Sequence, residues 1–331
     1  MNFLIIGYGS IGREYLKILK NIKYNLIYIV DIKFKKKLSS NKIIFLSPSD
    51  FNLLNININY VFICSPSFNH FNQAYYFLKK KIPVLIEKPF ALKTSDAIKL
   101  IKISKQNKIR CWVCFQNRLN SSILFANKTL KKNVIGDIQF IHANLVWSRD
   151  KKYYDNGWRG NYKTDGGVLS NQAIHLIDML QYLFGQIYKF KGSLFFNKKK
   201  LKAEDMASII FITKNNIPIF FNATTRADKD YGVNINVYGS KGNIKINGIS
   251  LNKVYLNNKF IADSSEEFKK GFGVHHKELI YNFIYKKKDI YYLNIKDNLS
   301  TIKLINSIYN TIVKDNFFNK VNSNDSILGQ L

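Results

Sequence analysis

The sequence has only three cysteines, Cys64, Cys111 and Cys114, in 331 residues. This is too few for the disulfide framework of a secreted scaffold, so we expect a reducing, cytoplasmic setting. Cys111 and Cys114 form a C-x-x-C, but the two residues between them, Trp112 and Val113, are apolar. A structural zinc site needs more ligands, and no second Cys or His pair with matching spacing follows. The pattern therefore predicts a buried strand at this place and no metal.

Long apolar runs are also missing. The first apolar run, residues 3–6, reaches a glycine-rich loop at once, and no stretch approaches the roughly 20 apolar residues of a membrane span. We expect neither a leader peptide nor a membrane partner.

Arginine is scarce in a chain that is otherwise strongly basic. Lys and Arg number 51 against 22 Asp and Glu, for a net charge of +29. Six of these residues are arginine, which leaves 51 − 6 = 45 lysines. The lysines are scattered, and arginine is the preferred reader of phosphates and bases, so we expect no nucleic-acid partner. A general positive field still favours the approach of an anionic substrate.

The first part of the sequence alternates between strand and helix patterns. The hydrophobic content of 46% is enough for sizeable cores, and the length suits two domains. Strands separated by helices predict a doubly wound, parallel Rossmann sheet, which we place at residues 1–118. The predicted strands are residues 2–6, 26–30, 60–64, 83–86 and 109–115, and the predicted helices are residues 12–19, 72–80 and 95–106.

Beyond residue 118 the pattern changes to long strands. It predicts a second α/β domain, residues 119–331, with a large open and mostly antiparallel sheet. Its predicted strands are residues 138–147, 187–196, 207–213, 217–224, 233–238 and 243–246. Its predicted helices are residues 121–131, 274–285 and 299–313, and we expect the tail, residues 322–331, to be loosely packed.

A complete glycine fingerprint, Gly7-x-Gly9-Ser10-Ile11-Gly12, follows the first strand and opens the first helix. The first glycine permits a tight turn, the second lets backbone approach a pyrophosphate, and the third lets helix and strand pack closely. The helix N-terminus offers free N–H groups to the phosphates. The fingerprint therefore predicts a bound dinucleotide, with a merely glycine-rich turn as the alternative.

Asp31 ends the second predicted strand, 31 − 12 = 19 positions after Gly12. A carboxylate there can accept hydrogen bonds from the adenosine ribose and repels a 2′-phosphate. We therefore predict NAD as the cofactor and consider NADP less favoured, although Lys33 and the lysines at 35–37 soften this preference.

Lys88, in the run Glu87-Lys88-Pro89, follows a strand at the far end of the first domain. The carboxyl ends of strands line the ligand crevice of a doubly wound sheet, so a lysine there can touch both nicotinamide and substrate. The alternative for one lysine among many is a solvated surface charge.

Residues 165–178 place three polar groups in an apolar stretch. A Gly-Gly turn leads into a predicted helix on which Asn171, His175 and Asp178 share one face at i, i+4 and i+7. Removing hydride from an alcohol needs a base for the hydroxyl proton, and histidine suits that task. The alternative is a buried histidine hydrogen-bonded to Asp178 for structure.

With these motifs in place, the chain resembles the glucose–fructose oxidoreductase/inositol dehydrogenase (Gfo/Idh/MocA) family over nearly its whole length. The resemblance rests on the glycine fingerprint, on Cys64-Ser65-Pro66 with His70, on Glu87-Lys88-Pro89 and on the Gly166-to-Asp178 segment. It implies an NAD-dependent oxidoreductase, commonly a homodimer or homotetramer, in which Lys88 orients nicotinamide and substrate and His175 acts as acid and base. It also implies that Ser65, Pro66, His70 and Glu87 belong to the cofactor site.

Asn171 departs from the pattern of many family members, which carry Asp there. An amide cannot take up a proton, so a Lys–Asp–His relay is in doubt. In having Asn at this position, the chain resembles the branch of the family that oxidises UDP-N-acetyl-glucosaminuronic acid in surface-polysaccharide synthesis. This resemblance implies a sugar or sugar-nucleotide substrate, with a catalytically silent dinucleotide-binding sensor as the alternative. We assign the substrate-contact residues Arg118, Trp158, Arg159, Asn171 and Asp178, with structural salt bridges as the alternative for the two arginines.

Overall fold

The computed structural model describes residues 1–53, 56–155, 157–196, 201–263, 275–285 and 293–312. Two sheets organise this part of the chain, one of seven strands and one of eight. The predicted fold class, a Rossmann domain followed by an α/β domain with a mostly antiparallel sheet, is confirmed. The predicted loose tail, residues 322–331, lies outside the described residues.

The N-terminal sheet has the strand order β3-β4-β2-β1-β5-β6-β7 and is parallel except at its β3 edge. Its strands are β1 (Asn2–Ile6), β2 (Leu26–Val30), β3 (Leu38–Ser40), β4 (Ile43–Leu46), β5 (Tyr60–Ile63), β6 (Val84–Ile86) and β7 (Cys111–Val113). Its helices are α1 (Ser10–Leu19), α2 (Pro48–Leu53), α3 (His70–Lys79) and α4 (Thr94–Gln106). The central strands are apolar throughout because helices cover both faces of such a sheet.

Three elements of this domain are absent from the sequence prediction: β3, β4 and α2. All three residues of β3 are exposed, and its short polar sequence has no apolar periodicity to detect. The last strand is shorter than the predicted residues 109–115, and α1 begins at Ser10, two residues before the predicted start.

The C-terminal sheet has the order β15-β14-β13-β12-β8-β11-β10-β9, with only the β8–β11 pair parallel among the described strands. Its strands are β8 (Ile138–Val146), β9 (Ile187–Phe195), β10 (Met206–Thr213), β11 (Pro218–Thr224), β12 (Gly232–Gly239), β13 (Gly242–Asn247), β14 (Lys253–Leu256) and β15 (Lys259–Asp263). The helices of this part are α5 (Ser121–Lys131), α6 (Lys151–Tyr154), α7 (Val168–Asn171), α8 (Ile174–Phe184), α9 (His276–Tyr285) and α10 (Leu299–Ile312). Strands β14 and β15 extend the predicted sheet.

One face of the C-terminal sheet is buried and the other faces outwards. In β11, Ile219 and Phe221 are at most 1% exposed, whereas Phe220 between them is 37% exposed. This alternation is typical of an antiparallel sheet with one covered face.

The predicted continuous helix over residues 166–178 is wrong. Helix α7 ends at Asn171, α8 begins at Ile174, and Gln172 and Ala173 lie between them. Asn171 therefore belongs to a different helix from His175 and Asp178. The Ala173 amide bonds to the Val168 carbonyl, and this five-residue spacing departs from the regular α-helical ladder at the junction.

Helix α9 packs on the N-terminal sheet, although it lies far along the chain. The Phe283 ring contacts Phe62 and Trp112, and the Tyr60 hydroxyl donates to the Ile284 carbonyl. The domain boundary at residue 118 stays a prediction. Helix α9, which the sequence assigned to the second domain, packs its apolar face on the first domain.

Among the described helices, none is both long enough and apolar enough to cross a lipid bilayer.

Candidate active site

The glycine loop between β1 and α1 is packed too tightly for side chains at two of its three glycines. Gly7 has φ +95°, and a Cβ there would lie 2.6 Å from the Cys64 carbonyl oxygen. A Cβ on Gly12 would lie 2.0 Å from the Gly7 carbonyl oxygen. At Gly9, by contrast, no described atom lies within 4 Å of the Cβ position. The loop thus leaves a gap over Gly9, beside the α1 N-terminus, of the kind a pyrophosphate needs.

Asp31 lies just beyond β2 and faces this loop. Its Oδ2 accepts from the Tyr8 amide at 2.6 Å, and its Oδ1 accepts from the Lys33 amide at 2.9 Å. A carboxylate has about four acceptor positions, so lone pairs remain for ribose hydroxyls. The residues present therefore fit a dinucleotide.

An aromatic cluster beside Asp31 was not predicted from the sequence. The rings of Tyr8, Phe34 and Phe45 contact one another, with centroids 5.2–5.9 Å apart. Tyr8 lies in the glycine loop, Phe34 follows β2, and Phe45 lies in β4. Only the fold brings these three separate places together.

His70 is placed differently from its predicted role as a cofactor ligand. It is 1% exposed, and its ring nitrogens lie 2.7 Å from the Pro89 carbonyl oxygen and 2.8 Å from the Ser65 carbonyl oxygen. Because its ring lies between these two carbonyl oxygens, His70 packs the loop after β5 against the loop after β6. Ser65 itself donates to Gln73 at 2.7 Å.

Lys88 reaches from the N-terminal sheet to the C-terminal domain. Its Nζ donates to the Asn171 carbonyl oxygen at 2.7 Å. Burial lowers the pKa of Lys88, while the carboxylates of Glu87 and Asp165 act in the opposite direction. Glu87, next to it, accepts from the Tyr15 hydroxyl at 2.8 Å. The lysine is thus held within the molecule, and the alternative of a solvated surface charge does not apply.

Asp165 supplies a carboxylate that the sequence analysis did not single out. It is 2% exposed, and its Oδ2 accepts from Asn171 Nδ2 at 2.5 Å. Burial raises the pKa of Asp165. The hydrogen bond from Asn171 and the positive charges of Lys88 and Arg159 lower this pKa but do not cancel the effect of burial. A buried carboxylate therefore lies beside Lys88, although residue 171 itself is an amide.

His175 lies near the start of α8, with the edge of its ring against Phe115 at 5.7 Å. Its Nδ1 is buried and has no hydrogen-bond partner among the described residues. Burial lowers the pKa of His175 well below its usual value, and the charge of Lys88 lowers it further. The imidazole is therefore neutral at physiological pH and able to accept a proton.

Arg118 and Asp178, both predicted to contact substrate, bind each other. Arg118 Nε and Nη2 donate to the two Asp178 oxygens at 2.8 and 2.6 Å, and the residues are 4% and 0% exposed. Thr301 also donates to Asp178 at 3.3 Å. Since the ion pair is bidentate and buried, it holds α8 in place. The Asp178–His175 pairing is wrong because Asp178 bonds to Arg118 and Thr301, whereas contact of Arg118 and Asp178 with substrate stays a prediction.

Arg159 lies close to the lysine and the acid. Its charge acts on the pKa values of both Lys88 and Asp165. The guanidinium stacks on the rings of Tyr153 and Trp158, at 4.2 and 4.9 Å. Arg159 and Trp158 therefore lie near Lys88 and Asp165, together with Tyr153, whose hydroxyl accepts from Gln172, and their contact with substrate stays a prediction.

Glu204 holds the Gly-Gly turn that leads into α7. Its Oε1 accepts from the Leu169 amide at 3.0 Å and from the Tyr309 hydroxyl at 2.9 Å. A Cβ on Gly167 would lie 2.0 Å from Glu204 Oε2, so only glycine fits. This oxygen is buried and has no hydrogen-bond partner among the described residues, and burial raises the pKa of Glu204 to about 7.

Two family models match the chain. The oxidoreductase family with an NAD-binding Rossmann fold (GFO_IDH_MocA) matches residues 1–115, and the GFO/IDH/MocA C-terminal domain matches residues 123–245. Together they cover well over half of the sequence.

Named relatives cover most of the chain at low identity. Myo-inositol 2-dehydrogenase of Thermotoga maritima is 24% identical, over 92% of this chain and 88% of the relative. Glucose-6-phosphate 3-dehydrogenase of Bacillus subtilis is 27% identical over 73% of each chain. The WlbA dehydrogenase of Bordetella pertussis, crystallised with NADH and UDP-GlcNAcA, superposes with a TM-score of 0.80 at 22% identity, over 95% of this chain and 96% of WlbA. At this identity the superposition establishes the fold alone.

From the glycine loop, the two-sheet architecture and both family models, we conclude that the chain belongs to the Gfo/Idh/MocA family of NAD-dependent oxidoreductases.

Proposed function

We propose that the protein transfers hydride between NAD and a carbon of a sugar or sugar nucleotide that bears a hydroxyl group, or a ketone in the reverse direction. The observation that carries the proposal is the neutral, partly buried His175 beside a lysine fixed by the Asn171 carbonyl. When bound, NAD supplies the hydride acceptor, so the proton chemistry falls to the side chains.

In the oxidative direction, His175 takes the proton of the substrate hydroxyl group while hydride leaves the carbon that bears this hydroxyl. The Lys88 ammonium stabilises the negative charge that develops on the substrate oxygen, and its bond to Asn171 fixes its position. Asn171 in turn donates through its amide to Asp165, which fixes Asn171 beside the lysine. The reverse reaction uses the same groups, with His175 as the acid.

Arg159 supports an anionic substrate. A guanidinium stacked on Tyr153 and Trp158 is fixed in orientation and suits a carboxylate or a phosphate. The net charge of +29 assists the approach of such a substrate. The WlbA structure, with a uronic-acid sugar nucleotide bound, supports this choice among the sugars that relatives use.

The test is turnover by the full-length protein, followed through the absorbance of the reduced cofactor. The panel contains UDP-N-acetylglucosamine, the corresponding uronate, glucose 6-phosphate and myo-inositol, and any co-purified cofactor is removed first. We expect reduction of NAD with the uronate and a large rise in KM for it in Arg159→Met, while NADH binding stays unchanged. Binding of NADH without turnover of any sugar would favour the silent-sensor alternative.

We also propose that a second copy of the chain covers the outer face of the C-terminal sheet, which gives the homodimer or homotetramer that the resemblance implies. Phe140, His142, Phe220 and Tyr238 form a continuous ring cluster on that face. Apolar surface of this kind marks an interface. Sedimentation of the wild type should give a dimer or larger species, and Phe220→Lys should dissociate it at this face.

The proposed compartment is the cytoplasm. The three cysteines are free, Cys111 and Cys114 are buried, and free thiols persist under reducing conditions.

A further inference from the structure

A cluster of three different donor groups lies close to the proposed catalytic residues Lys88 and His175. Glu87 follows β6, Cys114 follows β7, and His276 is the first residue of α9. A carboxylate oxygen, the thiol sulfur and an imidazole nitrogen of these residues all lie within 4.8 Å of one another. Cys114 is 0% exposed and His276 is 6% exposed, so two of the three groups are screened from bulk water.

Against the expectation of no metal from the C-x-x-C pattern, we propose that Glu87, Cys114 and His276, which the fold brings together, form a zinc-binding site that links α9 to the carboxyl ends of β6 and β7. Sulfur, nitrogen and oxygen together are the donor set of zinc, whereas magnesium and calcium take oxygen alone. None of the proposed hydride-transfer steps uses the Cys114 thiol or the His276 imidazole.

The geometry needs only small side-chain movements. Zn–S, Zn–N and Zn–O bonds of about 2.3, 2.0 and 2.0 Å place the ligand atoms of a tetrahedral ion roughly 3.3–3.6 Å apart. The observed upper limit of 4.8 Å exceeds this by little more than 1 Å. Three protein ligands are one fewer than a tetrahedral zinc takes, so a solvent molecule would complete the set.

Neighbouring groups already orient two of the ligands. The Tyr15 hydroxyl donates to Glu87 Oε1 at 2.8 Å, and the Tyr15 ring packs against His276 with centroids 6.1 Å apart. The Cys114 thiol makes a long contact of 3.6 Å with Gln116 Oε1, a weak bond that binding of a metal would replace. A carboxylate ligand that accepts a further hydrogen bond is typical of zinc sites.

Zinc stoichiometry tests the proposal directly. The full-length protein without a histidine tag is stripped with chelator, incubated with zinc chloride, desalted and analysed for metal by mass spectrometry. Cys114→Ser and His276→Asn are the test variants. The matched controls are Cys111→Ser, a buried cysteine outside the cluster, and His275→Asn, whose φ of +69° asparagine tolerates.

We expect one bound zinc per chain in the wild type and in both controls, and a rise in their thermal unfolding midpoint when zinc is added. The two test variants should bind no zinc and show no rise in the midpoint. A wild type that retains no zinc, or test variants that retain it, would overturn the proposal.

Cobalt substitution of the wild type gives a reading that does not depend on the folding of the test variants. A thiolate-to-cobalt charge-transfer band that persists in Cys111→Ser supports the site. Absence of the band from the wild type overturns the site.

Discussion

Replacing Glu204 with glutamine should stabilise the protein at neutral and alkaline pH. The carboxyl group is buried under the Gly-Gly turn, with one oxygen bonded to Leu169 and Tyr309 and the other without a partner in the described part of the chain. Burial raises the pKa of Glu204 from 4.5 to about 7. Since the folded pKa exceeds the unfolded one, the stability from this group is complete below about pH 4.5 and is lost as the pH rises through 7.

The size of the effect follows from the shift. Roughly 2.5 pKa units at 1.36 kcal/mol each amount to about 3 kcal/mol of the free energy of unfolding, lost by about pH 8. Glutamine keeps the acceptor for Leu169 and Tyr309 but cannot ionise. The variant should therefore exceed the wild type by less than about 1 kcal/mol at pH 5 and by up to about 3 kcal/mol above pH 8.

Urea denaturation of the full chain between pH 5 and pH 9 measures this difference. The matched control is Asp205→Asn at the next position, where the carboxylate binds Arg226 at 2.6 and 2.9 Å. That change removes an ion pair and should lower the free energy of unfolding at neutral pH, whereas Glu204→Gln should raise it. A difference between Glu204→Gln and wild type that does not vary with pH would refute the reasoning.

Three further predictions concern the site and its support. His175→Ala should abolish turnover while NADH binding, followed by fluorescence, survives; near-normal turnover would show that another group is the base. Asp31→Ala should weaken NAD binding and narrow the preference over NADP in competitive titrations, and unchanged selectivity would contradict the ribose contact. Arg118→Met should lower the free energy of unfolding by about 3 kcal/mol, since it leaves the Asp178 carboxylate buried and unpaired. Adding Asp178→Asn to that variant should recover part of the loss, and no recovery would argue against the ion pair as the cause.

The sequence predicted best those features that depend on neighbouring residues. The glycine loop and Asp31 are local motifs whose geometry follows from φ angles and from the end of a strand. The two-sheet fold class also followed from apolar periodicity, because each strand carries its own pattern. The exposed strand β3 has no such pattern and was missed.

The features that failed depend on contacts between distant parts of the chain. Spacing alone placed Asn171, His175 and Asp178 on one helix, but the break after α7 separates Asn171 from the other two. Arg118 and Asp178 are 60 residues apart, so their pairing became visible only when the fold brought them together. Asp165 and Glu204 have no distinguishing motif in the sequence, and burial alone makes them important.

The return of α9 to the N-terminal sheet has a consequence for synthesis and folding. Phe62 emerges from the ribosome 283 − 62 = 221 residues before Phe283, the ring that packs against it. The dinucleotide-binding domain is therefore made first but completed late, and until α9 arrives an apolar face near Trp112 remains uncovered. Residues 1–118 expressed alone should expose this face and aggregate, and adding residues 275–285 as a separate peptide should reduce the aggregation.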